Sequence, residues 1–163
     1  MTAPSFSLTD RPRVRLRPKV AARRNRQGHP WANANDVVTD RRTKALEPGS
    51  FAHLQDANRD YLATVTVNPA SKIFARVMAR DPDVVIDAGW IEARVAAALA
   101  HRERLYDAPY YRLIHAEADG FPGVIVDRFG ETLVLQPNAA WADAMAGDLA
   151  EVLARVASCT NVL

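Results

Sequence analysis

Across Asp81-Pro82-Asp83 the apolar residues of this 163-residue chain change period, and no regular element can run through that point. Upstream, short apolar runs are bounded by turn residues. One covers 51–55 after Glu47-Pro48-Gly49-Ser50, one covers 61–67, and one covers 72–78 after Asn68-Pro69-Ala70-Ser71. Short strands with a turn signal about every ten residues predict a small β-barrel. Downstream, Asp87 is suited to cap a helix over 88–106, where Ile91, Val95, Ala98, Leu99, Leu105 and Tyr106 recur at helical spacing. A second helix is predicted over 140–157 from Trp141, Met145, Leu149, Val152, Leu153 and Val156, with Gly147 as its weak point. Strands over 110–116, 124–127 and 132–136 lie between the helices. The last two are joined by a tight turn at Arg128-Phe129-Gly130-Glu131. The expected fold class is α+β, a small barrel over residues 1–80 followed by an α/β domain over 81–163, with the strand over 71–80 open to sharing between them.

Charge is unevenly distributed along the chain. Residues 1–44 carry eleven Lys and Arg against three Asp, a balance of +8, whereas residues 45–163 carry ten against sixteen, a balance of −6. An excess of that size suits a surface that meets phosphates. In Arg13-Val14-Arg15-Leu16-Arg17 strict alternation predicts a strand with three guanidiniums on one face and two apolar side chains on the other. Lys19 to Arg26 reads as one or two helical turns bringing Arg23, Arg24 and Arg26. In Gly28-His29-Pro30-Trp31 the Trp fits either a base-stacking platform or a core plug. In the strand over 72–78, Lys72 and Arg76 fall on a partly basic face.

Glu117, Asp119 and Asp127 invite a metal-dependent hydrolase reading, since carboxylates are hard ligands. Asp119-Gly120 and Arg128-Phe129-Gly130 are also what chain reversals require, and the structural reading is preferred. Gly120-Phe121-Pro122-Gly123 spells a GxxG, but it joins strands here and not the helices of a KH domain. No GxG pair, P-loop, paired His ligands or Ser nucleophile elbow occurs, and Cys159 is the only cysteine. The residues alone therefore predict no catalytic, cofactor-binding or metal-binding group. Apolar runs reach about half a dozen residues against the roughly 20 needed to span a bilayer, and no secretory leader is legible, so a cytoplasmic protein is expected.

Gly28-His29-Pro30-Trp31, the run Asn68-Pro69-Ala70-Ser71-Lys72-Ile73-Phe74-Ala75-Arg76, Tyr111-Arg112-Leu113-Ile114, and above all the stretch from Glu117 through Gly130 carry a family likeness. From about residue 13 onward the chain resembles the N-terminal half of the class I S-adenosylmethionine-dependent large-subunit ribosomal RNA cytosine-C5 methyltransferases. The resemblance implies an N-terminal PUA domain, a central α/β domain with strand-strand-helix repeats, and ribosomal RNA as partner. It also implies that the Rossmann-like methyltransferase domain, which holds S-adenosylmethionine and the catalytic cysteine in the family, is absent here. Cys159 lies outside the family's catalytic motifs. On this reading the chain is an RNA-recognition and positioning portion that ends at Leu163, binds no cofactor itself, and uses Arg13, Arg15, Arg17, Arg23, Arg24, Arg26, His29, Trp31, Lys72 and Arg76 toward RNA. A homodimer is compatible with it. A free-standing PUA-type RNA-binding adaptor is the alternative.

Overall fold

The computed structural model of the chain describes residues 11–18 and 22–163. Strand β1 (Arg13–Arg15) shows the expected alternation, with Arg13 and Arg15 exposed and Val14 fully buried. It lies parallel to β3 (Phe51–Gln55), which pairs antiparallel with β4 (Tyr61–Val67) and, through it, with β5 (Ile73–Ala79). Beyond β5 lies β2 (Trp31–Asn33), also antiparallel, so the strand order is β1-β3-β4-β5-β2. The two ends of this order meet through an antiparallel bridge between Leu16 and Val37. Arg17 N donates to Asp36 O at 2.8 Å and Val38 N to Arg15 O at 2.8 Å, so the backbone groups that an open sheet would leave unpaired are satisfied. Register shifts at Ala32/Asn33, Leu54/Gln55 and Thr64/Val65 supply the bends that so small a closed sheet needs. Inside sit Val14, Leu16, Val37, Leu54, Val65 and Phe74.

Two features of this barrel differ from the sequence reading. β2 is three residues long, too short to display a period, and it forms because Trp31–Asn33 finds a partner edge on β5. β5 begins at Ile73, because Ser71 Oγ accepts from Ile73 N at 3.2 Å and Asn68 Oδ1 from Ala70 N at 3.1 Å, which keeps Lys72 in the turn. Of the expected helical turns over 19–26, α1 (Ala22–Arg26) is described, while Lys19 lies outside the described residues. A second short helix, α2 (Arg41–Lys44), follows a 3-10 turn at Ala34–Asp36.

The chain divides into two compact units, the first running through Val85 and the second spanning Ile86–Leu163. The second opens with α3 (Ala88–Glu103), where Asp87 Oδ1 accepts from Trp90 N at 2.9 Å. This helix stops short of the expected end. Leu105 and Tyr106 both donate their N–H to Arg102 O and are 60% and 49% exposed, so they do not extend the apolar face. A four-stranded sheet follows, with order β6-β7-β8-β9: β6 (Tyr110–His115), β7 (Val124–Phe129), β8 (Thr132–Pro137) and β9 (Asn161–Val162). The first three strands are antiparallel, and β9 joins β8 in parallel after a helical crossover.

That crossover is α4 (Ala140–Ala144) followed by α5 (Ala146–Ala157), not one continuous helix. The break falls at Met145 (φ −105°, ψ 18°), and Gly147 lies inside α5. Trp141 Nε1 donates to Pro122 O at 2.8 Å, which ties α4 to the loop before β7 independently of α5. Helices α3 and α5 pack on each other, α3 on β6 and α5 on β8. The core between them holds Trp90, Ile91, Leu113, Phe121, Val126, Leu133, Trp141, Leu149 and Leu153. Trp90 meets Phe121 and Trp141 edge to face, with ring centroids 5.5 and 5.9 Å away.

Candidate nucleic-acid interface

Basic residues near the N-terminus fall into distinct environments on the barrel, and only some are available to a ligand. Arg11 is buried, donating to Val84 O, Pro82 O and Thr64 Oγ1, and desolvation pulls its pKa below the ordinary arginine value. It is a structural cation. Arg17 points to solvent but bonds Val37 O through Nε at 3.1 Å, across the barrel closure. Arg26 makes an ion pair with Asp56 and lies 3.9 Å from Asp60. The side chains of Arg13 and Arg15 make no hydrogen bond or ion pair with any described residue.

Arg13 and Arg15 open onto a groove of about 320 Å³ whose other lining residues are Val38, Asp40, Arg42, Thr43, Gln55 and Arg59. The parallel register sets Arg13 beside His53 and Arg15 beside Gln55, so β1 and β3 form its floor. Asp40 caps α2, accepting from Thr43 N at 2.8 Å, and that hydrogen bond holds its carboxyl below the usual range. Arg59 has φ +72°, unusual for a residue with a side chain. Its turn is held by Asp56, whose Oδ1 accepts from Asn58 N at 2.8 Å and Asp60 N at 3.0 Å. Sequence reasoning missed Arg42 and Arg59. Neither alternates with an apolar partner in a strand, and the positive φ is invisible in a one-dimensional pattern.

The remaining candidates gather elsewhere on the barrel. Trp31 is half-buried, stands opposite Arg76 in the β2–β5 register, and meets the His29 ring edge to face at 5.2 Å. Arg24 Nη2 lies 3.4 Å from His29 Nε2. Burial first, and then the Arg24 charge, push the His29 pKa down, which favours the neutral ring. Beneath them Asn25 is fully buried, donating to Trp31 O at 3.2 Å and His29 O at 3.4 Å. Lys72 is exposed in the turn before β5. Arg23 belongs to α1, but its side chain lies outside the described residues.

Of the candidate carboxylates Glu117, Asp119 and Asp127, the last two are engaged by arginines. Asp119 Oδ2 accepts from Arg102 Nη2 at 2.6 Å and from His115 N at 2.7 Å, closing a 3-10 turn at Ala116–Asp119 that ends on left-handed Gly120. Asp127 takes a two-pronged bond from Arg112, at 3.0 and 3.2 Å. Among the described residues no group of three or more His, Cys, Asp and Glu could hold a metal ion.

S-adenosylmethionine, the cofactor the family implies, would be sought at the turn from a strand into the helix of a parallel crossover. Here that turn leads from β8 into α4, and it is filled. A Cβ at Gly123 would lie 2.6 Å from Ala139 Cβ, and Trp141 is bonded to Pro122 O. The residues at this crossover do not fit the cofactor, and no step of methyl transfer is derived from them.

A family model described as a PUA-like domain matches residues 14–80. The barrel is therefore a PUA-like domain. Over 150 residues the chain is 37% identical to a ribosomal RNA large subunit methyltransferase from Deinococcus radiodurans, covering 86% of this chain and 36% of that protein. It is 38% identical over 118 residues to a ribosomal RNA large subunit methyltransferase I from Cronobacter sakazakii, covering 71% of this chain and 29% of the relative. The chain is thus a homologue of the ribosomal RNA large subunit methyltransferases, spanning about a third of the length of these relatives.

A solved structure of a proposed S-adenosylmethionine-dependent methyltransferase from Streptococcus mutans aligns with 90% of the chain at a TM-score of 0.76 and 13% identity, over 38% of its own length. This match corrects the expected fold class, which set the chain apart by the absence of a Rossmann-like methyltransferase domain. Over 90% of its length the chain instead shares the fold of the aligned 38% of that solved structure. The expectation rested on a resemblance to the N-terminal half of the family, beside which the absence of glycine pairs was read as the absence of a cofactor fingerprint. Such pairs report how closely a backbone approaches a cofactor, whereas a fold rests on apolar periodicity and strand order, which persist at 13% identity.

Proposed function

We propose that this chain recognises ribosomal RNA through its PUA-like unit and positions it for methyl transfer to a cytosine C5. One observation carries this reading: at the edge of a barrel matched as PUA-like over residues 14–80, Arg13 and Arg15 stand exposed on the outer face of β1 and Arg17 is exposed just beyond it, while Val14 and Leu16 fill the core. Arginines on a rigid strand suit phosphate oxygens, which they can bond in pairs. Residues 1–80 act as the RNA-binding domain and residues 81–163 as a central domain that supports it. His29, Trp31, Lys72 and Arg76 provide secondary contacts. S-adenosylmethionine serves the family's reaction without being held by the residues of this chain. Among the described residues no helix is long and apolar enough to cross a membrane.

The test is filter binding of a ribosomal RNA fragment at several salt concentrations, comparing the chain with its Arg13→Gln/Arg15→Gln/Arg17→Gln variant. Each arginine–phosphate pairing removed should flatten the slope of log K against log salt by roughly 0.7 to 0.9, with the barrel still folded in thermal melts. An unaltered slope would return the stripe to a solvated strand face. Equilibrium dialysis with labelled S-adenosylmethionine should show no saturable binding at micromolar concentration.

A further inference from the structure

We infer that the groove between β1, β3 and α2 is a phosphate cradle for the RNA backbone, and that Arg42 and Arg59 complete it. This deepens the RNA-binding reading and rests on it. Four guanidiniums, from Arg13, Arg15, Arg42 and Arg59, line a space of about 320 Å³ with Thr43 and Gln55. Among the described residues that line it the one acid, Asp40, is committed to capping α2, so these residues bring an excess of three positive charges. Successive same-face residues on a strand stand roughly 6.6 Å apart. Arg13 and Arg15 can therefore address neighbouring phosphates of one strand of RNA.

Arg59 is the more informative member. It occupies a left-handed backbone position that Gly or Asn would fill with less strain, and strain of that kind concentrates at functional sites. Asp56, 3% exposed, holds the turn, with one carboxylate oxygen taking the Asn58 and Asp60 amides and the other pairing with Arg26. Arg26, read from the sequence as a phosphate contact, thus acts here as a positioning residue for the turn that presents Arg59. The arrangement commits buried interactions to aiming one guanidinium at the groove.

The experiment measures binding of a ribosomal RNA fragment to the whole chain over a salt series, for the unaltered protein, Arg42→Gln/Arg59→Gln, and Arg59→Gly. Arg104→Gln, an exposed charge in the second unit, is the control. The expected result for the double variant is at least a tenfold loss of affinity and a salt slope lower by roughly 1.4 to 1.8, twice the increment for one phosphate pairing. Arg59→Gly should lose affinity while its melting temperature holds or rises, since glycine relieves the positive φ; this arm excludes misfolding as the cause. Arg104→Gln should bind as the unaltered chain does. RNA binding that persists with unchanged slope in the double variant overturns the cradle and leaves the RNA reading standing. Failure of the unaltered chain to bind RNA overturns both. Inorganic phosphate provides the second arm, by calorimetry. Saturable phosphate binding abolished in the double variant, with RNA affinity intact, would make the groove a site for a free anion and overturn its assignment to the RNA backbone.

Discussion

Gly123 and Gly120 both have positive φ, +72° and +68°, yet they are constrained differently. A Cβ at Gly120 would meet only Arg94 Nε at 3.6 Å, an ordinary van der Waals contact, whereas one at Gly123 would strike Ala139 at 2.6 Å. Gly120→Val should therefore destabilise the chain by about 1 kcal/mol or more through the backbone alone. Gly123→Ala should do worse despite its smaller side chain, because the overlap adds to the same backbone strain. Urea titrations of the two variants rank them directly. The carboxylates divide in a similar way. Asp119, with Arg102, is little exposed and also accepts the His115 amide, so Asp119→Asn should lower the melting temperature clearly. Asp127 pairs with a solvent-facing Arg112, where water screens the attraction, and Asp127→Asn should leave it almost unchanged. A reversed order of the two Asp variants would mean that the Asp127 pair, not the Ala116–Asp119 turn, anchors this region.

Helix α3 begins where Asp87 bonds the Trp90 amide, and Asp87→Ala should cost about 1 kcal/mol, read as a shift of the denaturation midpoint with unchanged slope. α2 depends on its cap in a pH-dependent manner. The Asp40 carboxyl is held below its ordinary value of 3.8 by the Thr43 amide. A depressed folded-state pKa contributes stability that is fully present above the unfolded value and is lost as pH falls through the folded one. Glu92, drawn down by its two-pronged bond from Arg155 between α3 and α5, has the same sign. Stability should thus fall in the acid range below about pH 4, and Asp40→Asn together with Glu92→Gln should flatten that fall in a pH series of thermal melts. A fall of equal steepness in the double variant would assign acid sensitivity to other carboxylates.

Two units with separate cores predict separable stability. Leu54→Ala empties part of the barrel core, a change that typically costs about 2–5 kcal/mol. Hydrogen exchange should then accelerate over β1, β3, β4 and β5 and stay slow over β7 and β8. Trp141→Ala should do the converse, since Trp141 joins α4, Phe121 and Trp90 within the second unit only. Acceleration across both units after either substitution would show that they unfold as one.

Strands β3, β4 and β7, the start of α3 and the outward face of Arg13 and Arg15 were all legible in the sequence. Alternation at period two, helical spacing and an Asp cap are local properties, and a local window contains them whole. The likeness carried by residues 117–130 was legible for the same reason, being one continuous run. β2, the closure of the barrel at Leu16 and Val37, and the break at Met145 were not legible, because each depends on a partner distant in sequence: β5 for the first, the other end of the same sheet for the second, and the Pro122 carbonyl for the third. The same division runs through the candidate interface. Composition located a basic N-terminal segment, but tertiary structure decided which of its cations are available, burying Arg11 against backbone carbonyls and tying Arg26 to Asp56. Only folding could bring Arg42 and Arg59, from a short helix and a strained turn, to the groove beside Arg13 and Arg15, because a binding surface is assembled across strands while sequence records only neighbours along one.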